Sequence, residues 1–360
     1  MTKIFAHNYN NILNDVLSYY HQTTNLLEAE AYLTWNDLVQ PQHRVIHLCK
    51  EHNKPSIVVE HGMKAVSDYQ ADLRDIKVNM GGKPMIADKF CVWGQKSKDI
   101  LLDAGISEKK VEVVGSPIIW VSEYVYKNTN GEVRVVPFHA GMEVIDPNTK
   151  EKWSLEGCRK HVPQYDSGNI VVFFPGHRVD EFTLQKIQLV YDQIKHRPDL
   201  FVMLSENFLN DKEDNPFREL LQMKDAEEQR QKCIAIPTNS PQNMNFIRCL
   251  LKKTKCAISV IPGTINGICW SMNVPIITPK IDFGWRDLED NVLYDLHEAD
   301  YVCAEDKVAS TLGDVLANDT KSDIRRQHAI DFMGVEEGDP TSNIRRVIDE
   351  TILHHTGKNL

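Results

Sequence analysis

Two series of short β-branched runs, each run followed by a turn and an amphipathic stretch, restrict this chain more than any other feature. In the first series the runs are Ser56-Ile57-Val58-Val59-Glu60, Lys89-Phe90-Cys91-Val92-Trp93 and Val111-Glu112-Val113-Val114, with a helical stretch from Gln95 to Asp103 that Gly105 ends. The second series starts at Asn169 with a strand over 170–174, a helix from Thr183 to about Lys195 and a strand over 200–204. It continues with a strand over 233–236 into a helix over 241–253. A strand over 256–261 then leads through Pro262-Gly263-Thr264 into a helix over 265–272 and a strand over 274–277. Parallel strands need a crossover long enough to hold a helix, so this alternation predicts βαβ units and a mostly parallel sheet in each series. Between Ser116 and Ser167 the pattern loosens into Pro, Gly, Asn and charged residues around a short strand at 133–136, which reads as linker plus insertion. Single cores stop growing at about 250–300 residues, so a chain of 360 residues carrying two series predicts two domains. The tail over 322–355 reads as helical, with a break from Gly334 to Pro340.

Composition narrows the function classes. A formal charge of −10 opposes whole-molecule attraction to nucleic acid or anionic lipid, although a local basic patch remains compatible with it. The apolar runs at 170–174 and 256–261 are far shorter than the roughly 20 residues that cross a bilayer, so no membrane span is expected. Polar residues in Met1-Thr2-Lys3-Ile4-Phe5-Ala6-His7-Asn8 interrupt any signal-peptide hydrophobic region, and the expectation is a cytoplasmic protein. Eight cysteines are scattered without a CxxC pair and read as buried free thiols. His43 and His47 stand at i and i+4 but lack a third ligand, and neither GxxxxGK[ST] nor GxGxxG occurs. No metal and no tightly held cofactor is expected.

Three segments then resemble a known superfamily, the GT-B glycosyltransferases. The likeness is to the branch with surface-polysaccharide transferases, glycerophosphate-polymer transferases and UDP-N-acetylglucosamine 2-epimerases. The segments are Ile57-Val58-Val59-Glu60-His61-Gly62, then Asp88 to Gly94 with the ending Val113-Val114-Gly115-Ser116-Pro117, and Ser259 to Thr264 running to Asn273-Val274-Pro275-Ile276-Ile277. They occur in the family's order across nearly the whole chain. The resemblance implies an α/β protein of two Rossmann-like domains facing each other across a cleft. The expected boundaries are an acceptor domain over 1–130, a linker or insertion over 131–167, a nucleotide-donor domain over 168–320, and helices over 321–360 packing back on the first domain. It also implies a nucleotide-diphosphate sugar as substrate. One position departs from the pattern: seven residues before Pro275, where many relatives carry an acid that bonds the donor ribose, stands Ile268.

Group transfer to a hydroxyl needs a base for the acceptor proton and positive or dipolar groups for the leaving diphosphate. His61, placed after a strand and before Gly62, is the candidate base, with Glu60 either orienting it or ending the strand. A histidine bonding the loop backbone is the plain alternative. The turn Pro262-Gly263-Thr264 opens a helix and so offers N–H groups to a phosphate, with Asn266 and Gly267 in the first helical turn; the same residues also suit an ordinary cap. His177 and Arg178 follow the first strand of the second series, and the Arg178 fork suits a diphosphate. Ser205 and Glu206, and Thr238, follow the next two strands as candidate base or ribose contacts. On the acceptor side stand Asn36, Asp37 and His139, for which helix capping and a surface insertion are the competing readings.

These residues predict a glycosyltransferase moving a sugar from a nucleotide diphosphate to a hydroxyl, such as a surface-glycan precursor. Three other readings stay open: a sugar-nucleotide 2-epimerase, a phage-type enzyme glycosylating modified bases in DNA, and a non-catalytic sugar-nucleotide binder. For a DNA acceptor, Arg159-Lys160-His161, Lys252-Lys253, Lys255 and Arg325-Arg326 are the candidate phosphate contacts.

Overall fold

The computed structural model describes residues 30–34, 42–60, 62, 85–120, 123–127, 133–137, 143–145, 152–154, 170–176, 179–209, 213–224, 233–236, 247, 250–281 and 298–356. In chain order the strands are β1 (Tyr32–Thr34), β2 (Ser56–Val59), β3 (Lys89–Val92), β4 (Val111–Val113), β5 (Glu123–Lys127), β6 (Val133–Pro137) and β7 (Glu143–Ile145). They continue with β8 (Lys152–Ser154), β9 (Ile170–Phe174), β10 (Leu200–Ser205), β11 (Cys233–Ile236), β12 (Thr254–Ser259), β13 (Ile276–Lys280) and β14 (Tyr301–Ala304). The helices of eight or more residues are α1 (Gln42–Glu51), α2 (Gln95–Asp103), α3 (Glu181–Asp192), α4 (Thr264–Ser271), α5 (Val308–Ala317), α6 (Ser322–Met333) and α7 (Pro340–Thr356). The chain divides into two compact units, one of residues 1–117 with 331–360 and one of residues 118–330.

In the first unit four parallel strands lie in the order β1-β2-β3-β4. One face of this sheet packs Val58, Phe90, Val92 and Val111 against Ile46 of α1 and Ile100 and Leu101 of α2. The other face packs Ile57, Cys91 and Val114 against Val347, Ile344 and Ile348 of α7. Covering both faces explains why the strands read as continuous apolar runs rather than as alternating ones. The segment that brings α7 there crosses the ends of β3 and β4 at near backbone contact. The Ser116 N–H donates to the Met333 carbonyl at 2.9 Å, and Asn343 Nδ2 donates to the Val114 carbonyl at 3.2 Å. A Cβ on Gly94 would lie 2.1 Å from the Asp331 oxygen, and one on Gly334 would lie 2.1 Å from the Trp93 oxygen.

In the second unit an eight-stranded sheet has the order β14-β13-β12-β9-β10-β11-β7-β8. Its first six strands are mutually parallel, and β7 and β8 close the far edge antiparallel. Residues 143–145 and 152–154, read in the sequence as linker or insertion, thus belong to this sheet, through Ala235 opposite Ile145. β5 and β6 pair separately as an antiparallel hairpin. All five side chains of β9 are buried. Val171, Phe173, Val202, Cys256 and Ile258 pack against Leu184, Ile187 and Val190 of α3 and Val308, Leu312 and Val315 of α5. Asp180 caps α3, its carboxylate accepting from the Thr183 N–H at 3.0 Å, so the helix starts two residues earlier than the sequence predicts. Among the described residues no helix is long and apolar enough to cross a membrane.

The glycine crossing generates a prediction. Gly334 and Gly338 both have positive φ, 60° and 79°, but only at Gly338 is nothing within 4 Å of an added Cβ. Gly338→Ala therefore loses about 1–2 kcal/mol from backbone strain alone. Gly334→Ala adds an overpacking penalty and loses about 3 kcal/mol or more. Urea denaturation of the two variants checks the order, and equal losses would contradict the crossing.

Candidate functional site

Because β12, β9, β10 and β11 are adjacent and parallel, the segments after them all leave the same edge of the second sheet. Those segments begin at residues 175, 206, 237 and 260, and with Ser205 at the end of β10 they carry most of the donor-side residues named from sequence. In open α/β sheets this carboxyl edge is where ligands bind. Ser205 ends β10 with its hydroxyl out of water and without a partner among the described residues. Glu206 begins a single 3-10 turn, Glu206–Phe208. His177, Arg178 and Thr238 lie outside the described residues, as do His61, Asn36, Asp37 and His139.

The best-defined part of the edge is the turn between β12 and α4. Pro262 is buried, and Gly263 is the N-cap residue with an extended backbone, φ 174° and ψ −147°. An added Cβ there meets nothing within 4 Å among the described residues, so neither φ nor a protein neighbour demands glycine. The open space leaves room for a ligand to approach the backbone closely. Thr264 and Ile265 follow as the first two helical residues, half-exposed, at the positive end of the α4 dipole.

Asn266 and Gly267, expected to line the same pocket, are buried, and the Asn266 side chain turns inward. Its Oδ1 accepts from the Gly263 N–H at 3.0 Å, and its own N–H donates to the Gly263 carbonyl at 2.9 Å, so the side chain satisfies the N-cap N–H although glycine offers no capping side chain in return. Its Nδ2 donates to Asp300 Oδ2 at 2.6 Å and to Thr278 Oγ1 at 3.1 Å. Asp300 also accepts from Thr278 Oγ1 and from Trp270 Nε1, each at 2.7 Å, while Lys321 Nζ donates to its backbone carbonyl at 2.6 Å. Burial pushes the Asp300 carboxyl up to about 6, against the opposing pull of the bonds from Thr278, Trp270 and Asn266 and of the nearby Lys321 charge. Sequence reading missed Asp300. The signal available was that Asn266 and Thr278, polar residues among buried apolar ones, require a buried partner.

Ile268, which stands where the resemblance places an acid, is fully buried within α4, so no ribose contact comes from that position. In the first sheet Glu60 is 6% exposed. Its carboxylate accepts from the Trp93 N–H at 2.6 Å and from Ser97 Oγ at 2.9 Å, fixing the first turn of α2. Its carbonyl accepts from Trp93 Nε1 at 2.8 Å and its N–H donates to the Cys91 carbonyl at 2.9 Å. Glu60 thus locks the chain at the position immediately before His61. The His43 and His47 rings meet edge to face at 4.9 Å, and among the described residues no group of three or more His, Cys, Asp or Glu side chains converges to hold a metal. A cavity of about 510 Å³ opens beside the start of β10, lined by Tyr191, Lys195, Arg197, Glu219 and Met223 among others. It lies at the amino edge of the second sheet, opposite the edge that carries Ser205, Gly263 and Thr264.

No protein-family model matches the chain, and no curated protein matches it in sequence. Solved structures do match. The S. aureus MnaA–UDP co-structure aligns with a TM-score of 0.53 at 13% identity, covering 98% of this chain and 89% of that one. The UDP-GlcNAc 2-epimerase of Methanocaldococcus jannaschii, in complex with UDP-GlcNAc and UDP, aligns at 0.52 and 16% identity, covering 91% of this chain and 80% of that one. The wall teichoic acid polymerase TagF, a variant soaked with CDPG, aligns at 0.51 and 13% identity, covering 91% of this chain and 72% of that one. The fold is GT-B. Within that GT-B fold the second sheet contributes the turn at Gly263 and the first sheet the Glu60 anchor.

The anchor is testable apart from any activity. Glu60→Ala strands a buried N–H and a buried hydroxyl, each costing about 1–3 kcal/mol, so a loss of about 3 kcal/mol is expected in urea denaturation. A loss under about 1 kcal/mol would show that Trp93 and Ser97 find other partners.

Proposed function

We propose that this GT-B protein binds a nucleotide-diphosphate-linked group at the carboxyl edge of its second sheet and transfers that group to a hydroxyl acceptor. The observation that carries the reading is the Gly263 turn. It is a helix start with open space over its N-cap glycine, in a fold whose solved examples include proteins bound to UDP and UDP-GlcNAc. The diphosphate lies over Gly263 and Thr264, where N–H groups and the helix dipole favour negative charge, and Arg178 supplies a bidentate partner. His61 takes the acceptor proton. The acceptor is a glycan precursor, with a DNA acceptor the less favoured alternative on the formal charge of −10.

Epimerisation at the sugar C2 is the second reading, because two of the three aligned structures bind UDP and one is a 2-epimerase by its own description. The buried Ile268 disfavours it, since that chemistry draws on acids around the nucleotide sugar. The protein incubated with UDP-GlcNAc, UDP-glucose or CDP-glycerol, with and without hydroxyl acceptors, separates the readings. Acceptor-dependent release of free nucleotide is the expected outcome. Interconversion of nucleotide sugars without release would replace transfer by epimerisation, and binding without either would make the protein a sensor.

Two variants test the assignments. His61→Ala is expected to lower single-turnover transfer by about 10²–10⁴-fold with donor affinity nearly unchanged. Arg178→Ala is expected to weaken UDP much more than uridine, because only the diphosphate loses a charge-assisted contact. Equal losses for UDP and uridine would move the diphosphate away from Arg178.

A further inference from the structure

The buried polar cluster beneath α4 has more charge than a cap requires. The Asn266 side chain alone can meet the Gly263 N–H, yet here the Asn266 amide is held from the far side by Asp300 and Thr278, all three nearly or wholly out of water. An unpaired carboxylate in such a place costs several kcal/mol, so its retention calls for a reason other than stability. Geometry supplies one. An amide side chain has two orientations, and only one puts its oxygen toward the Gly263 N–H. Ionised Asp300 offers only acceptors, so it takes the Asn266 NH₂ and forces the Oδ1 to face Gly263.

We propose that Asp300 is the positioning residue of the donor turn: its carboxylate selects the Asn266 orientation that holds Gly263 and aims the first N–H groups of α4 at the diphosphate. The inference rests on reading Gly263 and Thr264 as the diphosphate site. When Asp300 is protonated it becomes a donor, the Asn266 carbonyl turns to accept from it, and the NH₂ then opposes the Gly263 N–H. The cap opens. Because burial raises the carboxyl to about 6, the turn is formed above that pH and loosens as pH falls through it. The other charged groups around the cluster are identifiable. Lys321, immediately before α6, bonds the Asp300 carbonyl, and Arg325 is engaged by Asp319. His328 packs edge-on to Trp270 at 5.4 Å and lies 3.7 Å from Glu298. Cys269 keeps its thiol protonated through burial.

The test combines amide exchange at Gly263 with ligand affinity, each from pH 5 to 8. In the wild type, protection of the Gly263 amide, corrected for its intrinsic exchange rate, is expected to fall about tenfold as pH drops through about 6, the loss of one hydrogen bond's worth of order. Thr278→Val removes a bond that favours the carboxylate, so the midpoint moves upward; an unmoved midpoint would overturn the assignment to Asp300. Asp300→Asn is expected to show low protection at every pH. UDP and inorganic pyrophosphate ionise in the same range, but that effect is common to both proteins and cancels in the ratio of wild-type to Asp300→Asn affinity. That ratio should follow the Gly263 curve for UDP and pyrophosphate and stay flat for uridine. Flat wild-type protection, or protection unchanged in Asp300→Asn, overturns the inference, and the donor reading then stands or falls by UDP binding alone. Protection that titrates while neither UDP nor pyrophosphate binds the wild type overturns the donor reading and with it the positioning role. Should Asp300→Asn fail to fold, the wild-type curve and the Thr278→Val shift decide.

Discussion

A carboxylate removed from water must be met by donors on all sides, and Asp300 meets three of them, from α4, from β13 and from the Trp270 indole. This one group couples the helix start, the strand beneath it and the chain entering β14. Lys321 extends the coupling by holding the Asp300 carbonyl from the first residues before α6. The neighbouring Arg325, fully buried, bonds Asp319, which also accepts from the Tyr301 hydroxyl at 2.8 Å. Two adjacent polar clusters therefore fix the ends of β14 and α6, and the Gly263 turn inherits its geometry from the first. Orientation of a ligand site by buried groups behind it, rather than by the residues that touch the ligand, is the usual way a turn is kept preorganised.

The first unit solves a similar problem with backbone contact and one buried acid. Glu60 ties β2 to the start of α2 through Trp93 and Ser97, while Gly94, Gly115 and Gly334 let the returning chain pass within van der Waals distance of β3 and β4. Side chains at these positions would hold the segments apart and uncover the face that α7 packs with Val347. The position of Glu60 is thus set by packing and hydrogen bonds that involve no part of a ligand.

Much of the architecture was legible because the physical signal was local. The strands at 170–174 and 233–236 and the helix at 95–103 match their sequence readings, since each is an apolar run or periodic stretch with clear punctuation. The strand read over 256–261 runs instead over 254–259. Thr254 is polar but pairs with Ile170 of β9, Lys255 is the extra residue at a bulge before Cys256, and Val260 is apolar because it is buried at the turn. β14 escaped notice because its residues are half-exposed and its partner β13 covers only one side. β7 and β8 escaped because three residues each cannot be told from loop without their partners. The turn at Gly263 was legible as a strand, glycine and helix start. Asp300 was not, because it lies 34 residues from Asn266 and no spacing rule connects them.

The central claim is that the turn fastened by Asp300 receives a diphosphate. A crystal of the protein soaked with UDP locates the two phosphorus atoms directly. The account predicts them over the backbone of Gly263 and Thr264, with Asn266 still bonded to Asp300. Phosphates seated against the first sheet near Glu60, or in the cavity beside Lys195 and Arg197, would contradict it.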